Sequence, residues 1–329
     1  MRKILERLYE NEKLSKEEAK EILKRISSRE FPDALVVSFI TVFQMRGITI
    51  DELEGFREAL LDLCLRVDFS EFDTIDMCGT GGDGKNTFNI STLASFVVAG
   101  AGYKVAKHGN YGVSSVSGSS NVLEAMGYKF TNDEKTLQDQ LRDANITFLH
   151  APLFHHAMAA VGPIRKEMKM KTFFNMLGPL VNPSDPKNQL TGVFSRELAR
   201  LYQYLFQNQR DKRYAVIYGL AGFDEISLTD DFIVRDNKGE HLFTPGKLGL
   251  KKIKQEDIFG GNTVEEAADI FRSIISGKGT EAQNDVVCAN AAMAIKIMNN
   301  DDKDFSSCFE EAKESLLGGK AQRCQEMIV

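Results

Sequence analysis

Apolar positions recur at helical spacing from the start of the chain. Ile4, Leu5, Leu8 and Tyr9 fall on one helical face. Ser15, followed by Glu17 and Glu18, opens a second helix, since acids suit the positive end of a helix. Phe31-Pro32-Asp33 breaks and restarts the pattern. Ile48-Thr49-Ile50-Asp51 leads into an amphipathic stretch over 52–65. Residues 1–67 therefore read as helical throughout.

The period changes near Glu71. Short apolar runs at 73–78, 103–106, 146–149, 215–218, 225–228 and 232–234 predict strands. Between them, 91–101 reads as a small-residue apolar helix and 122–126 as a short one, and 263–329 returns to helix. Strands alternating with helices predict an α/β domain with a mainly parallel central sheet flanked by helices.

Composition narrows the function classes. Apolar residues make up 43% and charged residues 27% of the 329, ordinary globular values. A net charge of −6 argues against nucleic acid and anionic membranes as partners. Cys64, Cys78, Cys288, Cys308 and Cys324 are widely spaced, odd in number and contain no CxxC pair, as expected of reduced thiols. Acids interrupt the apolar residues at the N-terminus, and runs such as 93–101 are too short to span a bilayer. The expectation is a cytoplasmic, soluble protein.

Candidate chemistry begins at Gly79-Thr80-Gly81-Gly82-Asp83-Gly84-Lys85-Asn86-Thr87, between a predicted strand and a predicted helix. Glycines there let the backbone approach a ligand, and successive N–H groups can cradle an anion. Two familiar loops nearly fit. The dinucleotide fingerprint needs an acid about 20 residues on, but no Asp or Glu lies between Asp83 and Glu124. A P-loop needs Ser or Thr where Asn86 stands. The plain alternative is a tight turn without a ligand. The acid-free gap weighs against it. Residues 84–123 contain Lys85, Lys104, Lys107 and His108, and a dense set of Ser, Thr and Asn donors, but no carboxylate. A polyphosphate needs such donors with a few cations.

Lys107-His108-Gly109-Asn110 with Val113-Ser114-Ser115-x-Ser117-Gly118-Ser119 resembles a signature of the anthranilate phosphoribosyltransferases. Gly79-Thr80-Gly81-Gly82-Asp83, Gly162-Pro163-Ile164-Arg165, Phe174-Asn175 through Asn182-Pro183, and Asp224-Glu225 resemble further family motifs, in family order along essentially the whole chain. The resemblance implies transfer of the phosphoribosyl group of 5-phosphoribosyl 1-diphosphate to anthranilate, in tryptophan biosynthesis. It implies a small all-helical domain (1–70, joined by part of 165–190) packed on a larger α/β domain (71–329), a fold shared with type II nucleoside phosphorylases, and a homodimer.

Carried over by resemblance, the donor site comprises Gly79, Gly82, Asp83, Thr87, Asn89, Ile90, Ser91, Thr92, Lys107, His108, Gly109, Asn110, Tyr111, Gly112, Val113, Ser114, Ser115 and Ser119. Gly79, Asn110 and Arg165 would contact anthranilate. Asp224 and Glu225 would hold one Mg2+ and Ser91 would contribute to a second, giving two per subunit. No residue stands out as a general acid or base. His108 and His155 are possible pocket residues, with packing roles at least equally open. Tyr111, Val116, Asn121, His156, Lys169 and Lys171 depart from the family pattern. Tyr111 stands where arginine is usual, and Val116 replaces a basic residue. The rivals are a nucleoside phosphorylase, or a catalytically altered paralogue that binds nucleic acid.

Overall fold

The computed structural model describes residues 1–112, 116–300 and 302–329. The chain divides into two compact units, Met1–Val67 with Ala151–Asp185, and Asp68–His150 with Pro186–Val329. The first unit begins with α1 (Arg2–Tyr9), α2 (Lys16–Ser27), α3 (Asp33–Arg46) and α4 (Ile50–Leu63). Ser15 and Thr49 start α2 and α4 with reciprocal caps. In each, the hydroxyl accepts an amide N–H, and Glu18 or Glu52 accepts the capping residue's own N–H in return. Gly55 lets α2 and α4 approach closely, because a Cβ there would strike the Lys16 carbonyl. Phe39, Phe43 and Phe56 form an aromatic core with Phe173 from the returning segment, which begins at residue 151 rather than near 165.

The second unit runs β1 (Thr74–Met77), α5 (Ile90–Gly100), β2 (Lys104–Gly109), α6 (Ser119–Ala125), α7 (Glu134–Ala144) and β3 (Ile146–His150). The returning segment of the first unit then carries α8 (Ala151–Phe154) and α9 (Gly162–Met168). Back in the second unit follow β4 (Asn188–Gly192), α10 (Arg196–Gln207), β5 (Arg213–Gly219), β6 (Phe232–Asp236), β7 (Gly239–Phe243), α11 (Val264–Ile275), α12 (Glu281–Met298), α13 (Phe305–Leu317) and α14 (Lys320–Glu326). Among the described residues the sheet has seven strands in the order β3-β2-β1-β4-β5-β6-β7. The first five are parallel, and β6 and β7 add antiparallel. Every residue of β1 and β4 is buried, as expected where helices cover both faces of a parallel sheet.

Two differences from the sequence reading matter for the site. The expected strand at 225–228 is irregular backbone, and Leu228 takes a left-handed φ of 59°. The peptide group of Ile226 pairs with the Asn290 side chain instead of a neighbouring strand. The strand at Asn188–Gly192 escapes the apolar pattern, since Asn188, Gln189 and Thr191 are buried polar residues. Asn188 Nδ2 donates to Asp73 Oδ1 (2.7 Å) and to the Thr74 carbonyl (2.9 Å), which makes its burial tolerable. Met77, Gly109, His150, Gly192 and Gly219 end the five parallel strands on one edge, where α/β sheets place their ligands.

Candidate active site

The glycine turn leaves β1 on that edge. Gly81, Gly82 and Gly84 have φ of 60°, 78° and 73°, a left-handed region that side chains disfavour. Thr80 N–H donates to the Gly192 carbonyl (2.9 Å), and Gly81 N–H donates to Asp224 Oδ2 (2.7 Å). Two further glycines admit the acidic loop. A Cβ on Gly79 would lie 2.9 Å from Asp224 Oδ2, and one on Gly192 would overlap the Asp224 carbonyl. The far side of the turn is held by Gly260 N–H to the Asn86 carbonyl (2.9 Å) and Asn86 Nδ2 to the Gly261 carbonyl (3.0 Å).

Asp224 and Glu225 are brought to the N-terminus of α5 and to Lys107. Glu225 Oε1 accepts the Ser91 N–H at 3.0 Å. Lys107, almost fully buried in β2, donates to the Met77 carbonyl and lies 3.4 Å from Ser91 Oγ. Burial pushes the Asp224 carboxyl well above the usual carboxylate range, and the charge of Asp83 adds to this, against the pull of the Gly81 N–H. Glu225 is raised by burial and by the charges of Asp224 and Asp83, opposed by Ser91 N–H and Lys107. Two buried carboxylates whose ionisation is disfavoured create demand for a cation. Among the described residues, no group of three or more His, Cys, Asp or Glu side chains is arranged as a protein-only metal cage. Asp224 and Glu225 offer two carboxylates, and magnesium takes one or two from a protein while keeping waters. Cys78, next to the turn, is pushed up to about 12 by burial and stays a protonated thiol.

The second loop, after β2, is folded on itself. Asn110 accepts from Ser119 Oγ and Ser120 N–H through its carbonyl, both at 3.2 Å, and from Tyr111 N–H through Oδ1 at 2.8 Å. Asn121 Oδ1 accepts from Gly112 N–H (2.9 Å) and Gly118 N–H (3.0 Å), closing the loop at its neck. Gly118 has no room for a Cβ against the backbone of Gly112. Asn89 Nδ2 donates to the Ser117 carbonyl at 3.0 Å, linking this loop to the start of α5. His108 N–H donates to Asp76 Oδ1 at 3.0 Å. Tyr111 turns towards α6. Its hydroxyl donates to Glu124 (2.7 Å) and its ring meets His150 edge-on, while His150 Nδ1 lies 2.8 Å from Ser120 Oγ. Of the residues at 89–92, Ile90 and Thr92 are buried almost completely. Thr87 bridges to Phe259 through its backbone. Val113, Ser114 and Ser115 lie outside the described residues.

Arg165 belongs to the helical unit, on α9, which Pro163 opens. Its guanidinium lies over the Phe174 ring, 5.4 Å from the centroid, and has no carboxylate partner among the described residues. Burial lowers its pKa, but arginine stays charged. His155, in the same unit, places Nε2 at 2.8 Å from the Val181 carbonyl and is lowered to about 4 by burial, as a packed, neutral histidine is. Three site-shaping residues gave no motif signal: Gly192, Asp76 and Asn290.

Residues 71–322 match the a/b domain of the glycosyl transferase family, and residues 2–64 match its helical bundle domain. The chain is 58% identical over 331 aligned residues to an anthranilate phosphoribosyltransferase of Flavobacterium johnsoniae, covering 99% of each. The structure of anthranilate phosphoribosyltransferase from Thermus thermophilus superposes with a TM-score of 0.91 at 30% identity, covering 98% of this chain and 97% of that one. That of the Saccharomyces cerevisiae enzyme in complex with PRPP and Mg gives 0.88 at 27% identity, covering 96% and 93%. The chain belongs to the anthranilate phosphoribosyltransferase family.

Proposed function

We propose that this chain performs the family's transfer, from 5-phosphoribosyl 1-diphosphate to the amine of anthranilate with release of diphosphate, through the residues gathered at the sheet edge. The observation that carries the residue assignment is the meeting of Asp224 and Glu225 with the Gly81 and Ser91 N–H groups and Lys107. Breaking the anomeric bond leaves positive charge on the sugar and negative charge on diphosphate. Magnesium, when bound, neutralises that leaving group as a Lewis acid. Asp224 and Glu225 hold one ion and Ser91 contributes to a second, two per subunit.

Gly79, Gly82, Asp83, Thr87 and residues 89–92 line the donor's phosphates and ribose, with Lys107 as the buried cation. Residues 107–112 and Ser119 form the second wall, and Val113, Ser114 and Ser115, outside the described residues, are assigned to donor binding with them. Gly79, Asn110 and Arg165 contact anthranilate. Arg165 suits a carboxylate because its planar fork can bind both oxygens, and no resident acid among the described residues competes for it. The aromatic amine is weakly basic, so its lone pair is free at neutral pH and positioning can supply much of the rate. No helix among the described residues is long and apolar enough to cross a membrane, which fits a cytoplasmic enzyme. A homodimer is the proposed assembly, and its mass in solution tests it. The activity is tested by following anthranilate fluorescence with and without donor and Mg2+. Loss of signal only when both are present is expected, and none under any condition overturns the proposal.

A further inference from the structure

Helix α12 is apolar and buried from Val286 to Ile295, apart from Asn290, which is 3% exposed. A buried amide without partners is costly, so the destination of its hydrogen bonds is informative. Asn290 Oδ1 accepts the Ile226 N–H at 3.1 Å, and Nδ2 donates to the Ile226 carbonyl at 2.9 Å and to the Val286 carbonyl at 2.9 Å. One side chain thus satisfies both backbone groups of the residue after Glu225, as an adjacent strand would. On the other side of the acidic pair, Gly192 admits the Asp224 carbonyl where any Cβ would clash. Downstream, Ile253 N–H donates to the Leu228 carbonyl at 3.1 Å. The acidic loop is irregular, and Asn290 is its tie to a rigid helix.

We infer that Asn290 is a positioning residue that fixes the backbone of the Asp224–Glu225 loop so that both carboxylates face the cation, without touching substrate or metal itself. This rests on the metal role proposed above for the pair. Groups that orient ligating carboxylates commonly govern metal affinity by about 10- to 100-fold. Asn290→Ala should therefore raise the half-saturating Mg2+ concentration about tenfold or more. It should leave the KM for anthranilate within about twofold, since no anthranilate contact is removed.

Two readouts stand apart from turnover. Mn2+ binding with donor present, followed by paramagnetic relaxation, should weaken in parallel. Amide hydrogen exchange over 224–228 should accelerate. Asn290→Asp keeps the acceptor for Ile226 N–H, loses the donor and conserves size; it should shift both readouts in the same direction, and it carries the test if the alanine variant does not fold. Ser315→Ala is the control, because it deletes an equally buried hydrogen bond, to the Val97 carbonyl at 2.7 Å, away from the loop. Unchanged Mn2+ affinity and exchange in a folded Asn290 variant would overturn the inference, as would an equal shift in Ser315→Ala. A wild-type protein that binds no Mn2+ with donor present would instead reject the metal role, and the exchange data would still decide whether Asn290 holds the loop.

Discussion

Each unit buries carboxylate, and the two do so to opposite effect. In the helical unit, Glu52 is fully buried between α4 and the preceding turns. Burial alone would raise its pKa, but Arg46 at 2.6 Å and the N–H groups of Thr49 (2.9 Å) and Leu14 (3.0 Å) outweigh it and hold the carboxyl below its ordinary value. In the α/β unit, Asp224 accepts the Gly81 N–H and Glu225 the Ser91 N–H, but burial and neighbouring carboxylates outweigh these bonds, so both are raised. Glu52 arrives with its cation built in. The acidic pair leaves its charge to be met from outside. Burial by itself therefore does not mark a functional acid; the sign of the pKa shift, read with the partners, does.

Neutralising the two kinds of buried acid in turn should have opposite consequences. Asp224→Asn with Glu225→Gln should abolish Mg2+-dependent turnover, by at least about a thousandfold, since the metal's electrostatic stabilisation is lost. Its melting temperature without metal should not fall, because unmet charge has been removed. Glu52→Gln should do the reverse. It leaves Arg46 nearly buried without its partner and should cost about 3–5 kcal/mol of stability. The Mg2+ dependence of the surviving folded enzyme should be unchanged. Thermal melts and Mg2+ titrations of the two variants decide it, and activity retained in the double variant would sink the metal assignment.

Arg165 supplies the mirror image of the acidic pair, a half-buried cation with no acid beside it among the described residues. Arg165→Ala should raise the KM for anthranilate by roughly 30- to 150-fold, the worth of a charge-assisted fork of about 2–3 kcal/mol. The KM for the phosphoribosyl donor should move little. Steady-state kinetics with each substrate varied in turn would separate the two, and a defect confined to the donor would count against the role.

These contrasts were unequally legible in the sequence. The helical unit announces itself, because its amphipathic faces and the capping pairs Ser15–Glu18 and Thr49–Glu52 are local signals. The glycine turn, Lys107 and Asp224-Glu225 are legible as letters in a family order. What the letters do not carry is who satisfies whom. Ile226-Ser227-Leu228 alternates like a strand, yet Ile226 pairs with a side-chain amide 64 positions away. Asn188–Gly192 does not look like a central strand, because its polar residues are buried, and for Asn188 that burial is offset by contacts with Asp73 and Thr74, 115 and 114 residues earlier. Tyr111 reads as a lost cation, whereas in space it is a fixed wall between Glu124 and His150. Long-range hydrogen bonding is the common missing term.

The smallest expected effect is on pH dependence, and it tests the comparison without mutation. A carboxyl raised in the folded state binds protons there that the unfolded chain has already released, so stability falls as pH rises between the two pKa values. For Asp224 that window runs from the ordinary 3.8 to about 7, and Glu225 moves the same way. Glu52, lowered on folding, acts with the opposite sign and at more acid pH, below its ordinary 4.5. Without metal, the melting temperature should therefore decline from about pH 5 to about pH 7. Mg2+ with the phosphoribosyl donor should flatten that decline, since a bound cation removes the penalty on the ionised pair. The double variant Asp224→Asn with Glu225→Gln should show the flatter profile with no ligand at all. An unliganded wild-type protein whose stability rises steadily across that range would mean that the pair is already compensated in the folded chain, and the contrast with Glu52 would be gone.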